Sequence, residues 1–145
     1  MTPLNLREKP PRNARERLGG LMMLPRTIDK ARASLPGGDP GVYFITPGLS
    51  AWLLRKLRFT EDEFVKLVRD ADSEQQLAEI VAARASEGRI EHLNGFMESF
   101  KVADVAEDHN FEELYGRCDP NDLVIDVMAR DDAKMFGQGP SRLRT

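Results

Sequence analysis

The sequence predicts an all-α fold, and three observations predict it. Apolar residues recur at helical spacing along most of the chain. Two Ser/Thr-x-x-Glu/Gln boxes stand just ahead of such stretches and mark helix starts. The only short β-branched and aromatic run bounded by breakers, Val42 to Ile45, stands alone, and a lone strand makes no sheet. The 145 residues suit one compact domain with a real hydrophobic core, built here from five or six helices and a structured loop near residues 36–48.

Taken in order, residues 1–12 carry Pro3, Pro10 and Pro11 without periodicity and read as an extended N-terminal arm. Asn13 and Glu16 resemble a capping box, opening a helix to about Ser34. Leu18, Leu21, Met22, Pro25 and Ile28 share one side of that helix. Pro25 predicts a kink, or a second short helix with the proline in its first turn. The breakers of residues 36–48 form the loop, with Tyr43, Phe44 or Ile45 buried against the helices. A helix over Leu49–Leu57 presents Leu49, Trp52, Leu53 and Leu57. Thr60 and Glu63 cap a helix to about Asp70, with Phe64, Leu67 and Val68 inward. Ser73 and Gln76 cap the next, with Leu77, Ile80 and Val81 inward and Gly88 as its stop. From Arg89 to Val102, Ile90, Leu93, Phe96, Met97 and Phe100 face the core. Phe111–Tyr115 fits one helical turn. Asp119-Pro120 resembles an N-cap with proline behind it, ahead of Leu123, Val124, Val127 and Met128. Residues 13–136 thus form the helical domain, and residues 137–145 a flexible C-terminal tail.

Composition excludes several classes. No apolar run approaches the ~20 residues of a membrane span, and the N-terminus has no apolar signal region, so no membrane partner is expected. The single cysteine, Cys118, excludes an intramolecular disulfide, and a reducing cytoplasm is the expected location. Charge is unevenly spread. Residues 1–36 hold eight Lys/Arg against three acidic residues, a net +5, whereas residues 60–113 hold five against fifteen, a net −10. The basic segment is expected to pack on the acidic part of the same or a neighbouring subunit. Nucleic-acid binding through residues 1–36 ranks lower, because the acidic remainder repels DNA and no base-reading helix is evident.

Two stretches carry a resemblance. Arg15-Glu16-Arg17-Leu18-Gly19-Gly20, followed by Leu24-Pro25-Arg26-Thr27-Ile28-Asp29-Lys30-Ala31-Arg32, resembles the R-E-x-L-G-G and L-P-R-x-I-D-K-x-R pattern of a family of small bacterial proteins known as domain of unknown function 5069. His92-Leu93-Asn94-Gly95-Phe96-Met97 resembles that family's later W-N-x-F-M element, without its tryptophan. The resemblance covers roughly the first hundred residues, implies a helical fold and transfers no activity.

The candidate site lies inside the longer motif. On a continuous helix at 100° per residue, Asp29 lies about 20° and Arg32 about 40° from Leu18, so both fall on the apolar stripe. A buried charge without a partner costs several kcal/mol, so pairing is expected, with Arg26 and Arg32 each one turn from Asp29. The first reading is a buried ionic hub. The second is a small-anion or phosphate site, or an enzyme built around one, with Arg26, Lys30 and Arg32 as donors, Asp29 among them and Asn94 as a further ligand contact. Asn94 sits at the edge of its helix's core face, where a buried amide ties down backbone. Gly19-Gly20 lacks the strand and third glycine of a dinucleotide loop and reads as close helix contact or strain relief. His92, His109, Cys118, Asp104 and Asp108 match no zinc spacing, so no metal and no cofactor is expected. Cys118 has no identifiable base and reads as an inert thiol. Met22, Met23, Met97, Met128 and Met135 read as core filler. With no nucleophile–base group in view, the sequence points to a non-enzymatic interaction or scaffold domain, with a protein partner or a second copy of the chain as its expected counterpart.

Overall fold

The computed structural model describes residues 1–105 and 109–137, and it is mostly helical. Among the described residues the α-helices are α1 (Leu24–Ala33), α2 (Leu49–Lys56), α3 (Glu61–Asp70), α4 (Glu74–Ala82), α5 (Glu87–Ser99), α6 (His109–Tyr115) and α7 (Val124–Phe136). Among the described residues the one sheet is a small antiparallel hairpin, β1 (Arg17–Leu18) and β2 (Leu21–Met22), with Arg17 opposite Met22 and Leu18 opposite Leu21. By contacts the chain groups into two compact units, Met1–Leu93 and Asn94–Thr145.

In the first unit, α1 packs against β1, α2 and α3. Eight of its ten residues are buried, including Arg26, Thr27 and Asp29. Leu21, Met22, Met23, Leu24, Ile28, Leu53, Leu54, Leu57, Phe64 and Leu77 are almost fully buried and form the core. The Thr60–Glu63 capping box of α3 is present in both directions, with Glu63 N donating to Thr60 Oγ1 at 3.1 Å and Thr60 N to Glu63 Oε1 at 2.9 Å. Ser73 caps α4 by accepting from Gln76 N at 3.1 Å, while Gln76 Oε1 accepts from Asp72 N.

The largest departure from expectation is the single helix over residues 13–34. The Asn13 side chain does accept a backbone N–H, from Arg15 at 2.8 Å, and Glu16 N donates to Asn13 O. That closes a turn rather than a helix. The chain then forms the hairpin, whose two-residue turn is Gly19-Gly20 at φ 59° and 80°. Two successive positive φ values are what a type I′ hairpin turn needs, and glycine supplies them without the Cβ penalty. Met23, at φ 71°, donates its N–H to Ala14 O, and Pro25 sits in the first turn of α1. The proline belongs where a helix start has an unneeded N–H.

Other boundaries moved for local reasons. α4 stops at Ala82 rather than near Glu87, and Gly88 lies in the first turn of α5 instead of ending α4. Ser86 Oγ accepts from Arg89 N at 3.2 Å, an N-cap in the sequence window that periodicity assigned to helix interior. Residues 36–48 are loop, and Ile45 is its buried anchor at 4 % exposure. Phe44, expected as one possible anchor, is 38 % exposed, and Val42 is 61 % exposed.

In the second unit, α6 packs against α7, and Lys101 bridges Leu123. Met97 of α5 is buried as expected, as is Leu93 at the end of the first unit, but Phe96 is 37 % exposed and stacks on Phe100 at 5.1 Å between ring centroids. Asp119 does not open a helix: its carboxylate accepts from Asn121 N within a turn, and α7 begins five residues later. Val124, Val127 and Met128 are buried. The expected tail falls, apart from Gly137, outside the described residues, as does Asp108.

Candidate functional site

The chemistry of the longer motif gathers around Asp29, and its partner comes from elsewhere in the chain. Asp29 is 5 % exposed, on the buried side of α1. Its carboxylate accepts from the Arg12 backbone N at 2.8 Å, from Arg12 Nε at 3.1 Å and from Arg12 Nη2 at 3.0 Å. The Arg12 guanidinium also reaches Glu74, at the first position of α4, with Nη1 donating to Oε1 at 3.0 Å and Nη2 to Oε2. Nη2 lies 3.4 Å from Pro25 O as well. One arginine thus ties the N-terminal arm to the middle of α1 and to the first turn of α4.

The electrostatics follow from this geometry. Hydrogen bonding to Glu74, then to Asp29, raises the Arg12 pKa against the desolvation of partial burial. The same guanidinium holds the Glu74 carboxyl below its ordinary value, with burial opposing and a lesser pull from Arg32. Fork-to-carboxylate pairing of this kind is stronger and more directional than a contact between point charges.

The residues singled out from the sequence are distributed as follows. Arg26 is 2 % exposed, donates through Nη1 to Arg12 O at 3.2 Å, and lies over the Tyr43 ring at 5.5 Å. Lys30 is half-buried, with Nζ 3.4 Å from Ser50 Oγ, which is itself hydrogen-bonded to Thr27 Oγ1 at 2.9 Å. Arg32 is half-buried and does not reach Asp29: its Nε donates to Thr2 O and its Nη2 to Thr2 Oγ1, both at 2.7 Å. The expected Asp29–Arg32 pair does not form although α1 keeps the two residues one turn apart, because Arg32 turns to Thr2 of the arm and the Asp29 carboxylate is taken by Arg12. Asn94 is buried at 6 % exposure on α5 and belongs to the second unit.

Sequence reading missed Arg12 and Glu74. The only signal was a basic arm and an acidic segment of opposite net charge, and Arg12 to Glu74 is one place where the two meet within one chain. Among the described residues no three His, Cys, Asp or Glu side chains gather closely enough to hold a metal ion. His92 is exposed; Cys118 is half-exposed, its Sγ 3.7 Å from Gly116 O. Among the described residues no helix is long and apolar enough to cross a membrane.

The fold is that of a largely helical chain, with Asp29 and Glu74 paired to Arg12. Residues 8–133 match the family described as Domain of unknown function (DUF5069), and the chain belongs to that family. No curated protein matches it.

Proposed function

We propose that this protein is a non-enzymatic interaction domain, acting as a scaffold for another protein or for a second copy of itself. The observation that carries this reading is the internal pairing of the Asp29 cluster. Asp29 and Glu74 share the Arg12 fork, and Arg32 is engaged by Thr2. A phosphate entering here has to displace two carboxylates from their guanidinium, at the cost of leaving Asp29 buried and uncompensated. The cluster therefore reads as a lock on the fold.

A surface suited to docking lies on the same unit. Val42 and Phe44 project from the 36–48 loop on either side of half-buried Tyr43, while Ile45 anchors the loop and Asp39 accepts from Gly41 N at 2.9 Å. A fixed apolar pair is presented without the ordering cost a free loop incurs on binding.

Two measurements test the proposal. A thermal-shift series with inorganic phosphate, a nucleoside triphosphate and citrate is expected to leave the melting temperature unchanged; a dose-dependent rise with any of them favours an anion site at Arg26, Lys30 and Arg32. Sedimentation and affinity capture are expected to find self-association or a retained partner, lost in Val42→Ser/Phe44→Ser. A strict monomer that retains no partner overturns the reading.

A further inference from the structure

Residues 1–9 are attached to the first unit in a way that a second copy could reproduce. Leu4 N donates to Arg32 O at 3.3 Å, Asp39 N to Leu4 O at 3.0 Å, and Leu6 N to Asp39 O at 2.7 Å, a short parallel pairing centred on Asn5 and Asp39. Leu6 is buried at 1 % exposure. Arg7 Nε meets Asp39 Oδ2 at 2.6 Å, with side chains 68 % and 40 % exposed, and Arg32 holds Thr2. Beyond an exposed Lys9 come Pro10 and buried Pro11, and then Arg12, fixed to Asp29 and Glu74. The segment therefore has a pinned base, a proline pivot, and a seat formed of main-chain bonds, the Met1 amine on the carbonyls of Val68, Arg69 and Ala71, the Arg32–Thr2 contact, one buried leucine and one exposed ion pair.

We propose that residues 1–9 are an exchangeable strap: pivoting at Pro10-Pro11, the strap of one copy takes the seat on a second copy and delivers Leu6 and Arg7 to that copy's Asp39 edge. This rests on the interaction-domain reading and names the partner as the chain itself. Every bond of the seat is the same within one chain or between two, so the two arrangements differ only at the pivot and in concentration. Two successive prolines restrict the backbone of the pivot and bias it to extended conformations. Reciprocal exchange between two copies closes on a two-fold dimer. The intramolecular seat competes with an effective concentration on the order of millimolar, so the exchanged dimer is a minority at micromolar protein and grows on concentration.

The test traps the strap where it lies. The full chain carrying Arg7→Cys and Asp39→Cys, with Cys118→Ser to remove the native thiol, is prepared in isotope-light and isotope-heavy forms and checked for folding by circular dichroism. The two forms are mixed, held at a series of concentrations and oxidised. The expected product is a covalent dimer with mixed-isotope disulfides, its ratio to monomer rising about tenfold for a tenfold rise in concentration. Pro10→Gly, which loosens the pivot, is expected to lower that ratio, and an unchanged ratio overturns the pivot. Native mass spectrometry of the unaltered chain, light and heavy forms mixed, reads the same exchange without the cysteines. An intramolecular disulfide alone at every concentration overturns the proposal. That result leaves capture through Val42 and Phe44 untouched, so the two readings fail separately.

Discussion

Arg12 is the residue on which the first unit's polar interior depends. Replacing it with alanine leaves Asp29, 5 % exposed in the intact protein, with the backbone N–H of position 12 as its one remaining donor among the described residues. Removing one partner of a buried pair costs several kcal/mol. The remaining N–H bond and the partial exposure of Arg12 reduce this, so Arg12→Ala is expected to lower the unfolding free energy by about 2 kcal/mol, read by urea denaturation. Arg12→Lys is expected to recover only part of it, since an ammonium does not span both carboxylates as a fork. Glu74 sets a pH dependence. Its folded pKa lies below the ordinary 4.5, so its contribution is complete above that value and is lost as pH falls through the folded pKa. Glu74→Gln is therefore expected to leave stability flat above pH 4.5 and to lessen its fall below that value, measured as denaturation midpoints along a pH series. Equal acid sensitivity in the two proteins refutes this assignment. Asp29 was legible in the sequence as a charge that needed a partner. The partner was not, because Arg12 is brought to it by the path of the arm and by no helical spacing.

Among the elements, the hairpin is the one that local pattern concealed. Leu18, Leu21 and Met22 fit a helical stripe as well as two very short strands, and only the Gly19-Gly20 conformation separates the alternatives. A left-handed φ at a residue with a Cβ costs roughly 1–2 kcal/mol, and a Cβ on Gly19 stands 3.4 Å from Ala78 Cβ of α4. Gly19→Ala/Gly20→Ala is expected to destabilise the protein by about 2 kcal/mol or more, whereas a continuous helix would gain stability from both changes. The sign of the change in melting temperature decides between the two. Gly38 is constrained differently: an added Cβ falls 2.5 Å from Ala33 O, a backbone atom that cannot turn aside. By contrast, α3 and α4 were legible in full at their starts, because the Thr60 and Ser73 caps are satisfied within four residues of chain. The start of α5 lies two residues before the expected Arg89, because helical spacing carried the preceding helix past its true end at Ala82.

At the scale of the whole molecule, order follows burial within each unit. Sequestered by β1, α2 and α3, α1 is expected to hold the slowest-exchanging amides of residues 1–93, measured by hydrogen–deuterium exchange. The amides of Thr2 and Asn5 in the arm are expected to exchange far sooner, since both residues are exposed. The uneven charge of the chain has an internal meaning here: part of the basic arm is spent on Asp39, Asp29 and Glu74 of the same unit. Phe44 and Phe96, which periodicity or composition assigned to the interior, lie at the surface, because an apolar residue is placed by the elements around it and not by its own type.

The sequence by itself determined the helical class, the cap-marked starts of α3 and α4, the buried anchors of most helices, and the need of Asp29 for a counter-charge. These follow from spacing and capping, which act within a few residues. Tertiary structure alone decided that Gly19-Gly20 turns a hairpin, that Arg12 rather than Arg32 meets Asp29, and that Glu74 completes the lock. Those outcomes depend on which distant segments share the interior. There, burying a charge costs more than any local preference contributes, so the pairing of distant residues sets the path of the chain.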